Sequence, residues 1–290
     1  MRPGALVIEP LDVGFGAVVG AVAIRDLDAA TAAAIHEAWV EFGLLIFPGQ
    51  YLTNAEQDAF ARRFGDLEFT ATALTNLHRD GTVRDPSHPL VKSLAGNEGW
   101  HHDSTYLPVQ AKGAVFTAEI IPRRGGATGF ADMRAAYEAL DAATRELVDR
   151  SSALHSRRYG MERAGHQVSE ADAGTYELYG YRVADPPLRP LVKRHPDTGR
   201  PNLVIGQHAY AVQGLSDDAS VALLDRLADE ACRAPRTYHH DWAVGDAVLW
   251  DNRRLMHRAT PHDPTEPRRM WHTRIAGDPA TESASNYPAV

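Results

Sequence analysis

The chain has 290 residues, a formal net charge of −8, and 44 % hydrophobic against 23 % charged residues. That balance is ordinary for a globular chain, and a negative charge without a basic cluster argues against nucleic acid or an anionic membrane as partner. The single cysteine, Cys232, excludes an intrachain disulfide framework and suits a reducing cytoplasm; the N-terminus lacks the apolar stretch of a signal peptide, and no run approaches the ~20 apolar residues of a membrane span.

Residues 5–8 and 21–24 read as short strands around a glycine-rich turn. Asp28 is a helix cap, Ile35, Ala38, Trp39 and Phe42 share one face of the helix that follows, and Gly43 ends it. Residues 44–47 are an apolar run closed by Pro48-Gly49, the pattern of a buried strand. Thr53 with Glu56 is a capping box for a second helix that stops at Gly65. Residues 66–99 carry little pattern beyond turns at Asp80-Gly81 and around Pro86 and Pro89, with 90–93 as a strand.

Further on, 114–121 reads as a core strand, Gly125-Gly126 as a tight turn, and 132–149 as a helix. Residues 150–187 are polar with scattered tyrosines and histidines, and read as a lid or insertion. Residues 191–195 and 202–205 are strands around a turn. Ser216 caps a helix to about Cys232 that buries Val221, Leu224, Leu227 and Ala228. Strands at 236–242, 247–250, around His257 and at 270–276 complete the set. Many short strands with few helices predict a mainly β fold with flanking helices, a sandwich or jelly roll, in one domain spanning 1–290.

Between the weakly patterned region and the core strand stands His-x-Asp, at His101 and Asp103. On extended backbone, residues i and i+2 share a face. An imidazole and a carboxylate then converge, two parts of the two-histidine, one-carboxylate set that holds non-haem Fe(II) with positions left open. His102 points the other way. With 14 histidines in the chain such a pair arises readily by chance, so its weight comes from a second stretch, 242–258. There a Gly245-Asp246 turn leads into an apolar strand, then an Asp251-Asn252 turn, then His257; Arg268 follows eleven residues later.

This order, a His-x-Asp, a distant WDNR…HR and an arginine one strand on, resembles the taurine dioxygenase (TauD/TfdA) family of Fe(II)/2-oxoglutarate-dependent dioxygenases. FGLLIFPGQ, FARRFGDLE, IPRRGGATGFADMRAAYEAL and RRMWHTRIAGD extend the likeness over most of the chain. The resemblance implies a double-stranded β-helix core of jelly-roll, cupin-like form. It implies Fe(II) on His101, Asp103 and His257, 2-oxoglutarate with its distal carboxylate on Thr128 and Arg268, and O₂ as oxidant. The implied reaction hydroxylates an aliphatic C–H of a small organic molecule and releases succinate and CO₂. Beside a heteroatom that hydroxylation cleaves a C–O, C–S or C–N bond; desaturation or ring formation is the alternative outcome. Family members also associate as dimers or tetramers.

The chain departs from the taurine enzymes at His272, where their sulfonate-binding arginine falls, and at Glu68-Phe69-Thr70, where they carry a histidine. Taurine is therefore not the expected substrate. His272 and Arg274, on one strand face, and Asn97 are candidates for contact with an anionic substrate. His78, Tyr106 and His208 are further candidates for the pocket, while Trp100 and Trp250 read as packing residues. Taken without the family, a His-Asp-His set also suits a zinc hydrolase, which needs neither Thr128 nor Arg268. A metal-free β-sandwich binding module accounts for the strands alone.

Overall fold

The computed structural model describes residues 6–166, 179–181 and 183–287. Its largest element is a seven-stranded sheet in the order Val7–Pro10, Ala17–Gly20, Leu44–Phe47, Ala247–Asp251, Gly113–Ile120, Arg269–Ile275, Leu67–Thr75. Every pairing is antiparallel except Ala17–Gly20 on Leu44–Phe47. Leu44–Phe47 and the first four residues of Ala247–Asp251 are unbroken apolar runs because both faces are covered. Leu45, Phe47, Ala247 and Leu249 meet Ile35, Trp39 and Phe60 of the helices Ala29–Phe42 and Asn54–Ala61. Leu44, Ile46, Val248 and Trp250 face the other way, onto Phe130 and Leu255.

Those two residues belong to a three-stranded sheet, ordered Thr237–His240, Thr128–Asp132, Leu255–Ala259. Their chain neighbours Ala131 and Met256 turn to its other side, into a core shared with Leu223, Leu224 and Leu227 of the helix Asp217–Ala231. The two-residue period therefore brings positions 128, 130, 255 and 257 into the space between the sheets. Positions 116, 250, 270, 272 and 274 face them from the larger sheet. This is the mainly β, jelly-roll architecture with flanking helices that the sequence predicts, and structures of the same fold are described below.

Helix ends follow the chemistry of their caps. Asp28, Thr53 and Ser216 each accept from a first-turn N–H, and Gly43 closes its helix at φ 73°. Several stretches depart from expectation. The second strand is Ala17–Gly20 rather than 21–24, because Ile24 opens a 3₁₀ turn and gives its N–H to the Gln50 side chain. Residue 5, at the start of the first expected strand, lies outside the described residues. Leu67–Thr75 is an edge strand whose half-buried alanines and threonines give no apolar alternation. Residues 90–93 are helical within Pro89–Ala95, where proline opens the helix and His88 accepts from the Leu90 N–H. The helix expected over 132–149 is two, Met133–Glu138 and Ala142–Asp149, with separate caps at Asp132 and Asp141.

In Asp217–Ala231 the buried face is Ser220, Leu223, Leu224, Leu227 and Ala231. Val221 and Ala228 are only partly buried, Ala228 still packing against this core, because Ser220 points inward and accepts from the Val212 N–H at 3.0 Å. Of the expected lid, the strand Ser152–His155 and the helix Arg157–Arg163 are described, while 167–178 and 182 lie outside the described residues. Among the described residues no helix is long and apolar enough to cross a membrane.

Candidate metal centre and its cavity

His101 and Asp103 sit on a bridge and a turn rather than on a strand. His101 forms an isolated antiparallel bridge with His257, exchanging N–H···O=C bonds of 3.0 and 2.8 Å. The chain then turns at Ser104, with φ 57°. The bridge brings the two imidazole centroids within 4.3 Å. Asn252 fixes the carboxylate's backbone: its Oδ1 accepts from Asp103 N–H at 2.7 Å, and its Nδ2 donates to the Asp103 carbonyl at 2.9 Å. A donor atom from each of His101, Asp103 and His257 lies within 4.8 Å of the others, a grouping found nowhere else among the described residues. His102, as expected, turns away and bonds to the Asn252 carbonyl through Nδ1 at 2.8 Å.

The electrostatics suit a cation. His101 Nδ1 lies 2.8 Å from the Gly99 carbonyl, which can only accept, so the proton sits on Nδ1 and Nε2 offers its lone pair. Burial holds both ligand-type imidazoles below their ordinary pKa, His257 well below, and so keeps them neutral. Burial alone would raise the Asp103 carboxyl, but the Arg274 guanidinium beside it reverses this, and it lies well below the usual carboxylate range. Its Oδ2 has no hydrogen-bond partner and stands 3.7 Å from His257 Nε2. A buried ionised oxygen without a donor is costly, and a divalent metal among these atoms removes the cost.

The three groups open on a cavity of about 330 Å³. At one end stands Arg268, only 9 % exposed and in no ion pair among the described residues. Its Nη2 donates to the Gly126 carbonyl at 3.2 Å, and burial lowers its pKa to about 10 with no carboxylate to offset it. A buried, unpaired guanidinium is a receptor for a carboxylate. Gly126 must be glycine: its φ is 72°, and a Cβ there would meet Pro122 at 2.9 Å and Arg268 Nε at 3.3 Å. Beside it, Thr128 Oγ1 accepts from Trp242 Nε1 at 3.0 Å. Indole N–H only donates, so the threonine keeps its own proton for an acceptor in the cavity.

The other end is apolar, walled by Val91, Leu94 and Met161 with Tyr106 and Tyr179. Asn97 and His208 line it too, but His78 does not; it packs edge-on against His88. His272 lies flat against Trp250 at 5.6 Å, with burial pushing its pKa down to about 3, so it is a neutral wall. Arg274 gives Nη2 to Asp103 Oδ1 at 2.7 Å and Nη1 to Ser104 Oγ at 3.0 Å.

Sequence reasoning missed Asn252, Trp242, Glu68 and Arg157. Asn252 and Trp242 stood inside quoted motifs, yet their partners lie far away in the chain. Arg157 is buried in the cavity wall near His101 and His208, and Ser156 capping its helix was the available signal.

Facing sheets enclosing a two-histidine, one-carboxylate set define a non-haem metal oxygenase of jelly-roll form. The family described as "Taurine catabolism dioxygenase TauD, TfdA family" matches residues 8–274. The chain is 56 % identical over 279 residues to an "(S)-phenoxypropionate/alpha-ketoglutarate-dioxygenase" of Sphingobium herbicidovorans, covering 96 % of this chain and 97 % of that one. It is 51 % identical over 288 residues to a protein of the same name from Delftia acidovorans, covering 97 % and 98 %. The crystal structure of AAD-2 in complex with Mn(II) and N-oxalylglycine matches with a TM-score of 0.87 at 31 % identity, over 97 % of this chain and 99 % of that one.

The chain therefore belongs to the TauD/TfdA family. It is an Fe(II)- and 2-oxoglutarate-dependent dioxygenase acting on a small molecule. The zinc-hydrolase and metal-free readings left open by the sequence fall away.

Proposed function

We propose that this dioxygenase hydroxylates a 2-aryloxyalkanoate, an acid of the phenoxypropionate kind, at the carbon bearing the ether oxygen. One O₂ and one 2-oxoglutarate are consumed; one oxygen atom enters the C–H bond and the other ends in succinate, with CO₂ released. The hydroxylated product is a hemiketal, which collapses to a phenol and a 2-oxo acid. The observation that carries this reading is the two-ended cavity. Arg268, buried and in no ion pair among the described residues, suits one carboxylate of a dicarboxylate at one end, and an apolar wall suits an aryl ring at the other. The 56 % identity with a phenoxypropionate dioxygenase supports the same class.

In this reading His101, Asp103 and His257 hold the iron, which when bound supplies O₂ activation coupled to decarboxylation of 2-oxoglutarate. Arg268 and Thr128 take the distal carboxylate, the threonine's proton aimed by Trp242. Asn97 and His272 face the substrate. Arg157, with His208 beside it, meets the substrate's carboxylate in place of the cation that Arg274 was expected to provide. Leu94 and Met161 pack on the ring. The chain acts as one domain, in the cytoplasm and as a dimer or tetramer, which light scattering on the purified protein tests.

Anaerobic Fe(II) and 2-oxoglutarate titration, followed by air and each enantiomer of 2-phenoxypropionate, tests the activity. Stoichiometric phenol and succinate are expected. Succinate no higher than without the acid, for every aryloxyalkanoate tried, would end the proposal.

A further inference from the structure

We propose that Asn76 is a positioning residue for the co-substrate: its side chain fixes the backbone from which Arg268 reaches the distal carboxylate. The proposal rests on the reading of Arg268 given above. Residues 260–268 join the strand Leu255–Ala259 of the small sheet to Arg269–Ile275 of the large one, and belong to no strand themselves. Arg268 is the last of them. The ladder with Gly113–Ile120 slips between Arg269 and Met270 and ends at Arg269, so that neighbour does not hold Arg268. On the other side the paired positions end with Thr75 opposite Arg269.

Asn76 carries the attachment one residue further. In a regular antiparallel ladder the Arg268 N–H would go to the Asn76 carbonyl. That carbonyl is taken by the Arg84 N–H at 2.8 Å, and the Asn76 side-chain Oδ1 accepts the Arg268 N–H at 2.9 Å instead. The Asn76 N–H returns to the Arg268 carbonyl at 3.3 Å, and Thr75 Oγ1 donates to the same carbonyl at 2.7 Å. Asn76 Nδ2 gives its two protons to the carbonyls of Pro264 at 2.9 Å and Glu266 at 2.7 Å. The reason lies in the sequence: Pro261, Pro264 and Pro267 have no N–H. A loop so poor in donors is fastened through its carbonyls, by donors from elsewhere.

Asn76 is 3 % exposed, so water does not compete for these bonds. Both amide protons are engaged, so Asn76 acts through Arg268 and not on the ligand. A buried guanidinium without a counter-ion gains by swinging toward water. The Arg268 side chain is held by a bond from Nη2 to the Gly126 carbonyl, so its reach depends on where its backbone stands.

The test measures, without turnover, the affinity of the Co(II)-loaded protein for two oxo acids, read from the visible Co(II) band. One is 2-oxoglutarate; the other is 2-oxopentanoate, which keeps the keto acid and chain length but ends in a methyl group. In Asn76→Ala, 2-oxoglutarate affinity should fall about tenfold, while affinities for Co(II) and 2-oxopentanoate stay near wild type. Asn76→Ser carries the same expectation if the alanine variant does not fold. Thr75→Val, which removes one bond to the Arg268 carbonyl, should show a smaller fall with the same selectivity. An equal fall for both oxo acids in the Asn76 variants would overturn the proposal in favour of a general structural role. Unchanged 2-oxoglutarate affinity would overturn it by showing that Arg268 keeps its place without Asn76. Wild-type protein that binds both oxo acids equally would instead overturn the reading of Arg268 itself.

Discussion

The two ends of the cavity are built from different materials. The end proposed for the co-substrate is made by strands and tight turns: Thr128 opens a strand, Arg268 precedes one, and Gly126 packs against Arg268. The end proposed for the substrate is made by the short helices Pro89–Ala95 and Arg157–Arg163, by the 3₁₀ turn Gly96–Glu98 that carries Asn97, and by Tyr179. Strand positions are locked by their neighbours' hydrogen bonds, so a constant ligand is best held there. Helix ends and loops tolerate change, so the variable ligand is met there. Between the two lies a centre crowded with buried neutral histidines.

That contrast can be broken or sharpened in order of expected effect. The largest concerns the centre. His101, His102, His155, His208, His257 and His272 all have pKa values pulled down by burial, His102 to about 4 and His272 to about 3. In the unfolded chain each protonates near its ordinary value of about 6.5. The unfolded state then binds protons that the native state refuses, so stability is complete above that pH and falls below it. The slope is up to about 1.4 kcal/mol per histidine per pH unit. The metal-free protein should therefore lose thermal midpoint steeply between about pH 6.5 and 4. A flat midpoint in calorimetry over that range would contradict neutral burial.

At the co-substrate end, Arg268→Gln should raise the KM for 2-oxoglutarate by about a hundredfold, the worth of a buried charge-assisted pair. The KM of the organic acid should be nearly unchanged. At the opposite end, Arg157→Gln should do the reverse, raising the acid's KM about tenfold and sparing 2-oxoglutarate. If either variant moves both constants equally, the ends are not independent. The smallest effect belongs to Trp242→Phe, which keeps the ring and removes the N–H. A loss of about fivefold in 2-oxoglutarate affinity is expected, and none when Thr128 is already valine. Additive losses in the double variant would show that the indole does not act through the threonine.

The sequence revealed what repeats along a strand and concealed what is made across the chain. His101, Asp103, His257, Thr128 and Arg268 were legible because their spacing and residue types match a known order, and the fold brings all of them onto one cavity. The strands Leu44–Phe47 and Ala247–Asp251 were legible because apolar residues fill both of their faces. The edge strand Leu67–Thr75 was not, since threonine and alanine there are half-buried on both sides. Residues 90–93, helical within Pro89–Ala95, read as a strand because their few apolar residues fit either period, and the proline that opens the helix was taken for a turn. Asn252 and Trp242 do their work on partners 149 and 114 positions away, beyond the reach of any local pattern. Arg274 was read on one strand face with His272, but its partner Asp103 is 171 positions distant, so its attachment there could not be read.

The two main-chain bonds joining His101 to His257 have a consequence for the enzyme's working life. The spacing of the imidazole pair is set by peptide groups, with no help from the ion they receive. An empty protein should then keep its seat for iron, survive a chelator, and resume work when ferrous ion returns. Its output would follow the supply of metal more closely than the rate at which new chains are made.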